Sequence, residues 1–374
     1  MKKILFVNHT AKLGGAELSL LDIVQDHKKN SAVLLFSNGE YEEILNEKGI
    51  KCIIEDLDPI LLDIKKDSGV RLIIKGVFGL LKKLTTIKKI LNEYDIIYSN
   101  TLKSFVICSL VSIINRKKIV LHLRDALTNE HFSKFSIKLI IFISSISNAR
   151  VIANSNYTKK CFVEHGGNSK KCEVIWNGID PDGWTKSVSK SIRNTNVINI
   201  LSLGRISPWK GQHLVLEAIK NIPYAHLRIV GSANFGEHDY YDSLIKFVKD
   251  NKLENRVTFY PFSLNVAEHF EWSNVFVHSS TAPEPFGRVI VEAMLCDRIV
   301  IATDAGGAKE IINSSEVGIL VPVNDAEAIA SAINNIYFNS SKYENISSNG
   351  KVRASTVFNT ANLLKNINGY LEKI

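Results

Sequence analysis

The chain has 374 residues, enough for two ordinary domain cores, and its 45% hydrophobic and 22% charged residues are the balance of a soluble globular enzyme. No stretch approaches the ~20 consecutive apolar residues of a membrane-spanning helix. The formal charge of +8 is spread along the sequence without a recognised binding motif, so no nucleic-acid partner is expected.

Met1-Lys2-Lys3 precedes an apolar run, Ile4–Val7, that stops at Asn8 with no small-residue cleavage site behind it. It reads as a first strand rather than a leader. Short β-branched runs then alternate with longer amphipathic stretches. Strands are predicted at Ile4–Asn8, Ala32–Phe36, Cys52–Ile54, Ile96–Tyr98, Ile119–Leu123, Val151–Asn154 and Glu173–Ile175. Helices fall between them, over Glu17–His27, Tyr41–Lys48 and Leu102–Ile114. Between 65 and 91, lysines such as Lys65, Lys75, Lys82 and Lys88 interleave with apolar residues at helical spacing. That basic amphipathic helix either covers a sheet with a solvated lysine face or meets anionic lipid or an acidic acceptor.

Residues Pro181–Thr195 are polar and read as a linker. The alternation restarts with strands at Ile198–Leu203, Leu227–Val230, Val257–Tyr260, Val275–Val277, Ile299–Ala302 and Gly318–Val321. Helices are predicted at Gly211–Asn221, Tyr240–Asn251, Gly287–Leu295 and Ala326–Tyr337, and a last one at Phe358–Ile374 has no strand after it. The pattern is α/β: two Rossmann-like, doubly wound parallel-sheet domains in series, residues 1–187 and 188–355, followed by the terminal helix 356–374. Ligands of such sheets sit beyond the C-terminal strand ends. The five cysteines are scattered without metal-ligand spacing and read as buried thiols in a reducing cytoplasm.

Three loops at predicted strand ends carry the chemistry. In Glu284-Pro285-Phe286-Gly287-Arg288-Val289-Ile290-Val291-Glu292 a helix opens near Gly287, where free backbone N–H groups suit a phosphate and a glycine lets a ligand approach. Glu284 stands just before the turn and Glu292 lies inside the helix, ~7 Å further along its axis. One carboxylate could meet a group beyond a diphosphate and the other a hydroxyl pair such as a ribose. The plain alternative is a capping acid and an exposed helix glutamate. Gly204-Arg205-Ile206-Ser207-Pro208-Trp209-Lys210-Gly211 places two cations at another strand end, either to neutralise a departing diphosphate or as a basic surface loop. Gly14-Gly15-Ala16-Glu17 permits a tight turn at a helix start but is neither a dinucleotide fingerprint nor a P-loop. His122 ends a buried-type strand and reads as a satisfied core residue or a site residue. Asp56-Leu57-Asp58 and Asp180-Pro181-Asp182 have the form of a metal-binding pair, but two copies in unrelated loops make the pattern cheap.

Taken together these loops resemble the retaining glycosyltransferase family 4 of the GT-B fold. The likeness runs through Gly204-Arg205, Lys210-Gly211, the E-x7-E pair Glu284 and Glu292, the stretch Ala302–Gly307 with Glu310, and Gly318–Pro322. In the first domain it includes Gly14-Gly15-Ala16-Glu17 and Val174–Asp180, while residues 40 to 115 match nothing nameable. The resemblance implies two domains facing each other across a cleft and a nucleotide-sugar donor, a UDP-sugar before a GDP-sugar. It implies a diphosphate held by Arg205, Lys210 and backbone amides of Phe286, Gly287 and Arg288. Glu284 would contact the donor sugar, Glu292 the ribose, and Phe262, in the loop Tyr260–Ser263, the base. Gly15 would approach the phosphates and His122 would lie beside the sugar, so that His122, Glu284, Arg205 and Lys210 carry catalysis. No metal or other cofactor is implied, and the terminal helix would return to the first domain. Where relatives have small residues and a proline after Met294, this chain reads Leu295-Cys296-Asp297-Arg298, which puts local packing in question.

The expected reaction is transfer with retention to a glycan or lipid-linked glycan acceptor in cell-surface polysaccharide assembly. The enzyme would be cytoplasmic, with peripheral contact at the inner face of an anionic membrane. The competing readings are a nucleotide-sugar 2-epimerase of the same architecture and a non-catalytic nucleotide-sugar-binding subunit.

Overall fold

The computed structural model describes residues 2–57, 83–185, 196–233, 236–263 and 265–374. Most of the basic helix expected between 65 and 91 lies outside the described residues, of which 83–92 are helical. The chain folds into two compact units, Met1–Asn177 with Leu363–Ile374, and Gly178–Asn362.

The first unit is built on seven parallel strands: β1 (Ile4–Asn8), β2 (Ser31–Leu35), β3 (Cys52–Ile54), β4 (Ile96–Ser99), β5 (Lys118–Leu123), β6 (Arg150–Ala153) and β7 (Cys172–Val174). They lie in the order β3-β2-β1-β4-β5-β6-β7. Side chains of β1 alternate between two cores: Leu5 and Val7 join one cluster, Ile4 and Phe6 the other. Both faces are thus covered, which is why the strand is continuously apolar rather than alternating. Helix Leu102–Asn115 is started by Thr101, whose side chain accepts from the Ser104 N–H in a reciprocal capping box. Helix Lys134–Ile146 is started by Ser133, whose side chain accepts from the Ser136 N–H.

The second unit has six parallel strands: β8 (Ile198–Leu203), β9 (Ala225–Val230), β10 (Val257–Tyr260), β11 (Val275–His278), β12 (Ile299–Thr303) and β13 (Ile319–Val321). Their order is β10-β9-β8-β11-β12-β13. Both sheets therefore reverse direction of growth once, between β1 and β4 and between β8 and β11. A crevice opens at such a switch point, beyond the C-terminal strand ends.

The division between units falls at Asn177–Gly178, ahead of the change in composition near 187. The cause is local: Ile179 N–H donates to Phe358 O at 2.9 Å and Thr360 N–H to Ile179 O at 3.2 Å, tying the segment after Gly178 to the second unit. The helix Thr360–Glu372 leaves that tie, and its Leu363, Ile367, Tyr370 and Leu371 pack in the same cluster as Ile4, Phe6 and Ile152 of the first unit. Tyr370 OH donates to Val151 O at 3.1 Å.

The departure after Met294 is tightly packed, although Asp297 Oδ1 is buried without a hydrogen-bond partner among the described residues. Leu295 and Cys296 are fully buried, and Asp297 takes the left-handed conformation (φ 60°) usual just past a helix end. Arg298 is buried and donates from Nε to Cys296 O at 2.7 Å and from Nη1 to Ser273 O at 2.5 Å, satisfying carbonyls at the helix exit. All five cysteines are free thiols, four of them buried. Among the described residues, no helix is long and apolar enough to cross a membrane.

Candidate active site

Three loops of the second unit meet at its switch point: 204–211 after β8, 279–287 after β11 and 304–307 after β12. Their approach is so close that only glycine fits at the contacts. Gly211 has φ 70°, and a Cβ there would lie 2.0 Å from Ser279 O. Gly306 has φ 59°, and a Cβ there would lie 2.3 Å from Glu284 O. The Gly307 N–H then donates to Glu284 O at 2.8 Å. Backbone of one loop thereby fixes the glutamate carried by its neighbour.

Glu284 is 7% exposed, and three side chains bond its Oε1. Lys210 Nζ donates to it, His278 Nε2 lies at 2.7 Å and Ser280 Oγ donates at 2.5 Å. Among the described residues, none of these bonds uses Oε2. Burial alone would push this carboxyl up, but Lys210 and His278 outweigh it and hold the group well below the usual carboxylate range. Glu284 is therefore an ionised hydrogen-bond acceptor. Lys210 Nζ also sits 4.4 Å over the Trp209 ring. The sequence alone assigns no role to His278 and Ser280. The available signal was their place at the end of β11, within six residues of Glu284.

The helix that begins beyond Gly287 (φ 101°) runs Arg288–Leu295. On its first turns Arg288 Nε donates to Glu292 Oε1 at 2.8 Å, with Glu292 7% exposed. Arg288 Nη1 is buried and has no hydrogen-bond partner among the described residues. Phe286 is buried edge-on against Phe358, with ring centroids 5.7 Å apart, so its ring anchors the turn. Arg205 is exposed, and its carbonyl accepts from Gln212 Nε2 at 2.9 Å. Phe262, 56% exposed, follows β10 further along the sheet, and its N–H donates to Ser232 Oγ at 3.1 Å.

In the first unit, Gly15 opens the helix Gly15–His27 behind an extended Gly14. His122 ends β5 fully buried. Its Nδ1 bonds the Tyr98 hydroxyl at 2.5 Å, and its Nε2 is buried without a hydrogen-bond partner among the described residues. Burial, then the charge of Arg124, hold it neutral, well below the ordinary histidine pKa. The ring is fully buried. The switch point itself holds a buried polar network that no motif in the sequence marks. Arg124 Nε donates to Asn100 Oδ1 at 3.0 Å, and its Nη1 donates to Ser19 Oγ at 2.9 Å and Asn177 Oδ1 at 2.5 Å. Asn100 Nδ2 donates to Asn8 Oδ1, and Asn8 Nδ2 donates to Glu17 Oε1 at 2.9 Å.

Asp180-Pro181-Asp182 is a turn in which the Asp182 N–H donates to Asp180 Oδ1 at 3.1 Å. Among the described residues, no group of three or more His, Cys, Asp or Glu is placed to hold a metal ion.

Residues 185–353 match the family Glycosyl transferases group 1, and residues 13–182 match Glycosyltransferase Family 4. The structure of the Anabaena protein Alr3699/HepE in complex with UDP and glucose is 33% identical, covers 100% of both chains and superposes with a TM-score of 0.88. An uncharacterised 41.2 kDa protein in the cps region of Klebsiella pneumoniae is 29% identical over 64% of this chain and 68% of its own length. A Campylobacter jejuni N-acetylgalactosamine-N,N'-diacetylbacillosaminyl-diphospho-undecaprenol 4-alpha-N-acetylgalactosaminyltransferase is 28% identical over 54% of this chain and 53% of its own. With the doubly wound sheets and the switch-point cluster already described, these likenesses identify the chain as a member of the family 4, group 1 glycosyltransferases, a transferase of GT-B architecture.

Proposed function

We propose that this enzyme takes a hexose from a UDP-sugar and transfers it, with retention at the anomeric carbon, to a glycan or lipid-linked glycan acceptor of a cell-surface polysaccharide. The observation that carries the donor assignment is the ionised Glu284, gripped on one oxygen by Lys210, His278 and Ser280 while the other takes no bond from them. Oε2 accepts from a donor-sugar hydroxyl. Lys210 and Arg205 balance the charge that grows on the diphosphate as the glycosidic bond breaks, so the reaction needs no metal. The N–H groups around Phe286, Gly287 and Arg288 and the unpartnered Nη1 of Arg288 meet the phosphates, and Glu292, oriented by Arg288, accepts from the ribose. Phe262 lies by the base through its backbone, and Gly15 and His122 are assigned to the same reaction from the first unit.

The UDP and glucose bound by the Anabaena protein favour uracil over guanine. The cps-region relative and the diphospho-undecaprenol-linked substrate and alpha linkage in the Campylobacter enzyme's name favour a lipid-linked acceptor and retention. The test is thermal stabilisation by UDP, GDP and ADP and their glucose conjugates. The cognate ligand at 100 times its dissociation constant adds ~2.7 kcal/mol. Stabilisation by GDP or ADP in preference to UDP overturns the donor, loss of activity in EDTA overturns metal independence, and a β-configured product by NMR overturns retention. Interconversion of the sugar without acceptor returns the 2-epimerase reading; stabilisation without turnover returns the binding subunit.

A further inference from the structure

Helices Leu102–Asn115 and Lys134–Ile146 lie side by side and bury residues in the same core cluster of the first unit. Seven of the ten large hydrophobic side chains exposed among the described residues project from these two helices. Ile114 is 71% exposed, Phe135 74%, Phe142 61% and Ile146 49%. On the second helix Phe135, Leu139, Phe142 and Ile146 recur at three- and four-residue spacing, so they form one stripe opposite the buried Ile137, Ile140 and Ile143. A contiguous apolar surface of this kind marks an interaction site.

Charge decides the partner. Residues 102–118 and 134–150 contain no aspartate or glutamate but seven lysines and arginines. Lys134 and Lys138 alternate with Phe135 and Leu139 on the exposed face. A second copy of the chain on this face would oppose like charges, whereas lipid headgroups of negative charge complement them. Lysine stems also lie along apolar surface with the ammonium held at headgroup level. We infer that the outer faces of these two helices are a docking surface for an anionic lipid bilayer, with Phe135 and Phe142 inserted to the acyl boundary. The surface uses none of the residues assigned to the donor and does not depend on that assignment.

Co-sedimentation of the full chain with vesicles tests it without any sugar substrate. Vesicles of phosphatidylglycerol and phosphatidylcholine at one to one bind the protein at least tenfold better than phosphatidylcholine alone, and 0.5 M salt weakens that binding. Phe135→Ser with Phe142→Ser lowers partitioning by roughly tenfold or more per ring, and Lys138→Gln lowers it by roughly fivefold. These sites are exposed, so the melting temperature stays at the wild-type value. Equal binding to both vesicle types, binding unchanged in the double phenylalanine variant, or no binding at all overturns the inference. A dimer seen by sedimentation velocity that the double variant dissociates also overturns it and gives the face to a second copy.

Discussion

Glu17 at the switch point of the first sheet and Glu284 at that of the second are both buried, and their two carboxyls are driven in opposite directions. Glu17 is 6% exposed and Glu284 7%, so both suffer a similar loss of hydration. Around Glu17, burial outweighs the Asn8 amide and the charge of Arg124, with Asp125 opposing, and the pKa is raised. Around Glu284, Lys210 and His278 outweigh burial and the pKa is well lowered. Arg124, the cation nearest in role to Lys210, is held by Asn100, Ser19 and Asn177. The first cluster thus joins strand ends, a helix and a loop through mostly neutral groups, whereas the second keeps its carboxylate in the charged form. Charge maintained at the strand ends is what a diphosphate sugar requires.

The largest expected effect breaks this comparison at its centre. Glu284→Gln removes the charge with little change in shape and lowers the transfer rate by about 10²–10³-fold, or about 2.7–4 kcal/mol of transition-state stabilisation. It also leaves Lys210 and His278 buried beside a neutral amide, at a cost in stability of about 3 kcal/mol. Glu17→Gln changes the transfer rate by less than about tenfold. Initial rates of donor consumption for the two variants decide the matter. Equal losses in both would mean that the two clusters do the same work.

The β-branched runs predicted thirteen strands, and all thirteen occur with ends moved by a residue or two. These strands are legible because both faces of each sheet are covered, which leaves nearly unbroken apolar runs such as Ile4–Val7 and Ile198–Leu203. The helix Ser340–Val357 was not legible, since its serines, asparagines and lysines show little apolar periodicity. Glu284 and Lys210 were readable as motif residues at strand ends. Their contact, bridging 74 positions, was not. The Arg124 network is hidden for the same reason, because Ser19 comes to it from the helix Gly15–His27 and Asn177 from the segment after β7. His122 was placed at the correct strand end, but the fully buried setting of its ring depends on packing against Tyr98.

Acid sharpens the comparison next. His9, which bonds Thr101 Oγ1 at 3.0 Å, is lowered to about 4 by burial and then by Lys103. The unfolded chain takes up this proton near pH 6.5 and the folded chain only near 4, so the contribution is full above 6.5 and is lost as pH falls toward 4. Its size is about 3 kcal/mol at most. Glu17 works the other way: its contribution is full at low pH and is lost as pH rises through its raised pKa. Glu284 contributes fully above the ordinary carboxylate value and loses that contribution only in stronger acid, as pH falls through its lowered pKa. Denaturant midpoints between pH 7 and 4 therefore fall less steeply in His9→Asn than in the wild type. An unchanged slope would show that His9 titrates as an ordinary surface histidine.

The smallest expected effect concerns Arg288, and it separates a structural cation from a ligand-binding one. Its Nε bond to Glu292 is an i,i+4 pair in which the side chains keep 18% and 9% exposure. Pairs of this kind contribute about 0.3–0.5 kcal/mol to a helix, so Arg288→Ala costs little stability. If the helix were the whole purpose, nothing else would change. Yet Nη1 is buried without a hydrogen-bond partner among the described residues, an expensive arrangement unless a ligand completes it. Arg288→Ala therefore weakens nucleoside diphosphate binding by about tenfold, or about 1.4 kcal/mol, while the melting temperature without ligand barely moves. Arg288→Lys restores charge but not the planar fork, and recovers only part of the affinity. Titration calorimetry of the three proteins with UDP reads both points. A dissociation constant unchanged in Arg288→Ala would make the arginine a helix brace and move the phosphate contacts to Arg205, Lys210 and the backbone.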